Sequence, residues 1–316
     1  AISRAFTPGS SISPQMRERI LKGADEFGYQ PNAIASMLTT RRSKMVGIVV
    51  SDMRNPFYPA LIERLTQEFQ RAGLQSLLFN VTPGARVEEQ LHAIRTYNVD
   101  AVVVISATIL SERMLAWATE GRRALIVNRL THTDIPSICC DNVAGARAIV
   151  DHFHAIGRRR IGYVAGLSRT AIAIERRSAF TTRLAELGMQ LVGTASHDAY
   201  NYQSGYRGAL ELLEAAPDAI FFASDILALG GIDALKNEAR LSLPDDVAVA
   251  GFDDIAMASW PVYSLTTYRQ PIDALASETA RLVLLEADSM PLSTTLPGEL
   301  VVRASTVADA AAVPGL

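Results

Sequence analysis

Eight polar and aromatic side chains fall where short apolar runs end or helical patterns begin. From such places a side chain can reach a bound molecule. Asp52, Phe57 and Tyr58 follow the run Val46–Ser51, Tyr200 follows Val192–His197, Ser224 follows Ala219–Phe222, and Asp253 follows Val247–Gly251. Asp141 and Arg176 stand at helix starts. They come from both halves of the chain, yet the ends of parallel strands converge on one cleft. A guanidinium and several carboxylates around a compact ligand suit a hydroxyl-rich molecule, and aromatic faces stack on a sugar ring. Arg176 is equally able to pair bidentately with a ligand carboxylate or phosphate. Asp141 and Asp253 have a plain alternative as caps of helices or turns. Asp225 reads as a helix N-cap rather than a ligand contact.

Catalytic chemistry has little to work with. The sequence has no GxSxG, no P-loop and no spaced Cys/His metal motif, so no cofactor or metal is expected. His152 and His154 lie two apart on an expected helix and face different directions, unsuited to one metal ion. The only cysteines, Cys139 and Cys140, are adjacent and read as buried small apolar residues in a reducing compartment. With 49% hydrophobic and 20% charged residues, the chain reads as an ordinary globular protein, and its 316 residues favour more than one folding unit. No apolar run approaches the roughly 18–20 residues that span a bilayer. The first residues do not resemble a secretory signal, so a cytoplasmic location without membrane contact is expected.

The elements that must position these residues alternate. Apolar strand-sized runs at Val46–Ser51, Ser76–Phe79, Ala101–Ile105 and Ala124–Val127 are separated by helical patterns, among them the Leu61, Leu65, Phe69 stripe, Arg86–Tyr97 and Ser111–Thr119. After a helix around Ala144–Ile156, a second series runs through Ile161–Val164, a helix to Leu187, Val192–His197, Gly205–Leu213, Ala219–Phe222, Leu227–Glu238 and Val247–Gly251. Such alternation gives right-handed βαβ units, so the fold class is α/β with two doubly wound parallel-sheet subdomains.

The front end differs. Pro14–Phe27 is helical, with Ser13 as cap, Pro14 at the first position and Gly28 after its end. Residues 1–45 hold seven basic and three acidic residues, a local +4 that leaves −7 for the remainder of a chain with net charge −3. A basic front on an acidic body marks the front as the part that meets phosphates.

Several motifs in order resemble the LacI/GalR family of bacterial transcription regulators. In the front end they are Ile2-Ser3-Arg4-Ala5-Phe6, Ile12-Ser13, Arg17, Ala24, Gly28-Tyr29 and Pro31-Asn32. In the body they are Asp52 with Asn55-Pro56-Phe57-Tyr58, Asp141-Asn142, Arg176 with Phe180, Ser224-Asp225 with Ala228-Leu229-Gly230, Pro244–Asp254, Leu265-Thr266-Thr267, Gln270-Pro271 and Arg303-Ala304-Ser305-Thr306. The resemblance implies a partial helix-turn-helix headpiece and hinge helix over 1–45, the family's opening helix and turn having no counterpart here. It implies a periplasmic-binding-protein-like core over 46–316. Within that core the first subdomain takes about 46–153 plus 272–298, and the second about 154–271 plus 299–306. Operator DNA would meet the complete headpiece through Ser3 and Arg4 on the recognition helix, with Asn32 on the backbone. Ala35 and Leu38 would fall on the hinge helix, Leu38 wedging into a base step from the minor groove. The effector set would be Asp52, Phe57, Tyr58, Asp141, Arg176, Tyr200, Ser224 and Asp253; Ser224 stands where the family often has Asn. The implied function is a homodimeric, effector-responsive repressor, not an enzyme, that senses a sugar-like molecule. The alternative is a sugar-binding transport receptor with the same core.

Overall fold

A computed structural model describes residues 5–6, 10–29, 42–81, 92, 94, 96–105, 120, 123–129, 135–167, 170–285 and 289–308. Ser3, Arg4, Asn32, Ala35 and Leu38 lie outside the described residues, as do most of the expected helices Arg86–Tyr97 and Ser111–Thr119.

The first sheet contains β1 (Met45–Val50), β2 (Gln75–Asn80), β3 (Ala101–Ile105), β4 (Arg123–Val127), β5 (Ser137–Cys140) and β11 (Ser293–Leu296). Its order is β11-β5-β4-β3-β1-β2 and every neighbouring pair is parallel. The second contains β6 (Arg160–Ala165), β7 (Gln190–Ser196), β8 (Ala219–Phe222), β9 (Ala248–Asp253), β10 (Thr266–Arg269) and β12 (Glu299–Val301). Its order is β12-β10-β9-β8-β6-β7, and only the edge strand β12 runs antiparallel. Parallel strands are covered on both faces, which is why β1, β3, β8 and β9 read as unbroken apolar runs.

Helices α2 (Phe57–Arg71) and α7 (Ile272–Leu284) pack together beside the first sheet. Helices α3 (Asn142–Ala155), α4 (Ala171–Glu186), α5 (Tyr202–Leu212) and α6 (Asp225–Asp233) surround the second. The sequence places residues up to about 153 in the first subdomain. Helix α3 departs from this: it packs on α4 and the second sheet, close enough that a Cβ on Gly145 would lie 2.6 Å from the Tyr268 ring. The first crossing between lobes therefore falls at Asp141. The chain crosses again between β10 and α7, and a third time between β11 and β12.

Near the front, α1 (Pro14–Glu26) begins as its sequence requires: Ser13 Oγ accepts from the Met16 N–H at 3.3 Å and Pro14 opens the first turn. None of its residues is buried among the described ones; Met16, Leu21 and Phe27 are exposed.

Candidate ligand-binding site

The carboxyl ends of the second sheet's strands supply the best-defined polar cluster. Arg176 comes from the second turn of α4, and only 4% of it is exposed. One terminal nitrogen donates to the Ala223 carbonyl just past β8, and the other donates to Asn142 Oδ1 at 2.7 Å. The guanidinium lies 3.4 Å over the Phe252 ring centroid, a cation–π contact that fixes its plane. Asn142, the first residue of α3, is itself tied through Nδ2 to the Cys140 carbonyl at the end of β5. Arg176 is thus held within the second lobe and tied through Asn142 to the end of the first lobe's β5.

Asp253 ends β9 at φ 132°, a backbone region that costs a non-glycine residue of order 1–3 kcal/mol. Gln270 Nε2 donates to its carboxylate at 2.6 Å, as does the backbone N–H of Asp225. Burial pushes the Asp253 carboxyl up, and the nearby Arg176 charge offsets only part of that. Asp225 is fully enclosed. Its carboxylate accepts from Thr267 Oγ1 at 2.6 Å and from the Ile255 N–H at 2.9 Å, and burial beside Asp253 pushes this carboxyl up as well. It lies on the bare Cα of Gly251, where a Cβ would meet Asp225 Oδ1 at 2.2 Å. The N-cap reading of Asp225 is corrected: Ser224 is the N-cap of α6, and Asp225 instead binds the 253–255 loop.

Tyr200 lies on Gly166, where a Cβ would come within 2.3 Å of the ring, and its phenol shares the field of Arg176 and Asp253. Asp141 caps α3, accepting from the Ala144 N–H at 2.8 Å, the plain role its type allows. It also faces Glu175, whose carboxyl is raised by burial and held by Asn142. Asp52 lies in the first lobe beyond the end of β1; burial raises its carboxyl while the N–H groups of Arg54 and Asn55 pull it back. Phe57 and Tyr58 point into the first lobe's core, 1% and 8% exposed, so Phe57 has almost no face left for a ligand.

Hydrogen bonding thus joins Arg176 to Asn142, and Asp253 to Gln270 and Asp225, with Ser224 and Tyr200 beside them. Asn142, Gln270, Glu175 and Phe252 were given no role on sequence grounds. The pairs Asp141-Asn142 and Gln270-Pro271 were the available signal. Three buried atoms of this cluster have no partner: Arg176 Nε, Ser224 Oγ and Gln270 Oε1. Each unsatisfied buried polar group costs about 1–3 kcal/mol, which a ligand with matching donors and acceptors recovers.

The cysteines and His152 take structural roles. Burial pushes both Cys139 and Cys140 up to about 12, as expected for inert thiols. Buried His152 bonds Thr306 Oγ1 at 2.8 Å, and desolvation lowers its basicity. No helix among the described residues is long and apolar enough to cross a membrane.

Two parallel α/β lobes joined by three crossings, with unpaired buried polar atoms at their strand ends, define a periplasmic-binding-protein-like sensor core. Residues 150–306 match the periplasmic binding protein-like domain family. Over 96% of this chain and 91% of the relative, the sequence is 30% identical to the HTH-type transcriptional regulator CelR of Thermobifida fusca. It is 27% identical to the ribose operon repressor of Halalkalibacterium halodurans, over 96% and 92%. The lac repressor dimer bound to operator and the anti-inducer ONPF shares the fold with TM-score 0.85 at 23% identity, over 96% and 94% of the two chains. The CelR–cellobiose complex superposes with TM-score 0.75 at 27% identity, over the same shares. The chain belongs to the LacI/GalR family of helix-turn-helix transcription regulators.

Proposed function

We propose that this protein is a cytoplasmic, homodimeric repressor whose DNA binding is set by a small polyhydroxy effector held between the two lobes. The carrying observation is the buried cluster in which Arg176 Nε, Ser224 Oγ and Gln270 Oε1 lack partners beside Asp253. Asp52, Tyr58, Asp141, Arg176, Tyr200, Ser224 and Asp253 are proposed as the effector set, with Phe57 supporting Tyr58 from the core. Residues 1–45 are proposed as a partial DNA-binding headpiece and hinge; in the complete headpiece Ser3 and Arg4 would meet operator from the recognition helix, Asn32 would contact its backbone, and Leu38, on a hinge helix with Ala35, would wedge into a base step. Residues 46–316 are proposed as the sensing and dimerisation core. A sugar as effector is supported by the CelR–cellobiose complex, which is a property of that protein. The relatives are regulators rather than enzymes, which supports a sensing role for the buried Arg–Asp cluster.

Binding-site selection from randomised DNA, followed by calorimetry with neutral sugars, tests this reading. Arg176→Ala and Asp253→Ala should each weaken effector binding roughly 10- to 150-fold, the loss of a charged hydrogen bond of about 1.5–3 kcal/mol. Selected DNA should still bind both variants but no longer respond to effector. A core-packing role would show instead as a lower melting temperature without ligand and unchanged affinity.

A further inference from the structure

We propose that the cleft rejects anions and accepts an uncharged or cationic polyhydroxy compound, with Glu175 at its rim as the residue that sets this specificity. This rests on the cleft being the effector site. Arg176 is the only buried Lys or Arg side chain among the described residues. Both its terminal nitrogens are already engaged, by the Ala223 carbonyl and by Asn142, and its face is covered by Phe252, so only Nε is left to donate to a ligand and a bidentate grip on an anion is not available. Its charge is matched by Asp253. The neighbouring guanidiniums are spent elsewhere: Arg269 and Arg303 bind Asp254 at 2.6 and 2.7 Å. Exposed Arg54 stands beside Asp52 across the cleft, and exposed Arg177 faces the Tyr163 side of α4.

Against the one buried cation among the described residues stand the carboxyls of Asp225 and Asp253 on the floor and of Asp141 and Glu175 at the rim. Glu175 is half-buried, held by Asn142 and within the field of Asp141. The proton inventory points the same way. Carboxylates and Gln270 Oε1 are acceptors and need donors from the ligand, which hydroxyl and ammonium groups have and an ionised carboxylate or phosphate lacks; Arg176 Nε alone needs an acceptor, and a hydroxyl oxygen serves it as well. The carboxyls of Asp52, Glu175, Asp225 and Asp253 are all raised, first by burial. An entering anion would raise them further, so its binding would be opposed by the ionised carboxyls and linked to proton uptake.

Calorimetry on the whole chain with matched probes tests this: D-glucose against D-glucuronate, cellobiose against cellobionate, and D-ribose against D-ribose 5-phosphate. At about pH 7, the anion of any pair whose neutral member binds should bind at least tenfold more weakly, about 1.4 kcal/mol. The gap should narrow as pH falls from about 8 to about 5, the range through which the raised carboxyls take up protons. Glu175→Gln should narrow it severalfold, and Glu175→Lys should close it. An anion bound as tightly as its neutral partner overturns the charge argument while leaving the site in place. A gap that neither variant changes overturns the role of Glu175. No binding by any probe, neutral or charged, overturns the polyol reading itself, and with it this specificity.

Discussion

The backbone N–H of Asp225 donates to the Asp253 carboxylate, while the Asp225 carboxylate accepts from the N–H of Ile255, two residues beyond Asp253. This reciprocal pair fastens the start of α6 to the loop after β9. It fixes Ser224 and Asp253, from two different strand ends, as one rigid surface. The same burial that makes the clamp rigid makes its charges costly.

That cost sets a pH dependence. Both carboxyls titrate above the ordinary value of about 4 in the folded protein. Their contribution to stability is complete below the unfolded value and is lost as pH rises through the raised folded values. Asp225→Asn should therefore flatten the fall in ligand-free stability between about pH 5 and about pH 8. Urea denaturation across that range measures it; parallel curves for the two proteins would contradict the shift.

His152 should act with the opposite sign. Burial lowers its basicity, so its contribution is present above the unfolded value of about 6.5 and is lost as pH falls through the lower folded value. Relative to His152→Gln, the wild-type chain should lose stability on acidification below about pH 6. The difference between the two proteins isolates this group from the carboxyl pair. Equal acid profiles would show that the ring is not held neutral.

Ser224→Ala separates binding from folding. The hydroxyl is 3% exposed at residue level and its oxygen has no partner, so its removal relieves an unsatisfied group. Ligand-free stability should be unchanged or higher by about 1 kcal/mol, while effector affinity drops several-fold. Calorimetric melting and ligand titration on the same sample measure both; a clear loss of ligand-free stability would assign the serine to packing.

Gly251→Ala should be costly. The added methyl would meet the Asp225 carboxylate at 2.2 Å, and Thr267 and Ile255 hold that carboxylate in place. A loss of about 1–3 kcal/mol is expected, the range for overpacked sites, together with weaker effector binding because Asp253 shifts. Chemical denaturation measures the first effect and titration the second.

Long, uniformly apolar strands such as Val46–Val50 and Ala101–Ile105 are visible in the sequence because both of their faces are buried. Strands β5 (SICC), β11 (STTL) and β12 (ELV) are not: they are short, and three or four mixed residues carry no period. Phe57 also has a local reading as a core residue. The stripe Leu61, Leu65, Phe69 extends back four residues to Phe57, which marks it as a core position of α2. Arg176, Ser224 and Asp253 stand out in the sequence as charge and hydroxyl at a helix start or strand end, and the folded chain brings them together. Asn142 and Gln270 do not stand out, because an amide's value lies in which two groups it joins, and only the folded chain shows that.

The three crossings between lobes also constrain how the protein is made. The first sheet's edge strand β11 and its helix α7 are encoded after almost the whole second lobe. A nascent chain emerging from the ribosome therefore carries β1–β5 with one sheet edge and part of one face uncovered until residue 296 is out. The second lobe lacks only the short strand β12 and the clasp in which Ser305 and Thr306 bond Val249 and Thr266. Domains commonly fold as units during synthesis, so the lobe made second has the shorter wait for its missing parts. Chaperone dependence should then track the exposed flank of the lobe made first.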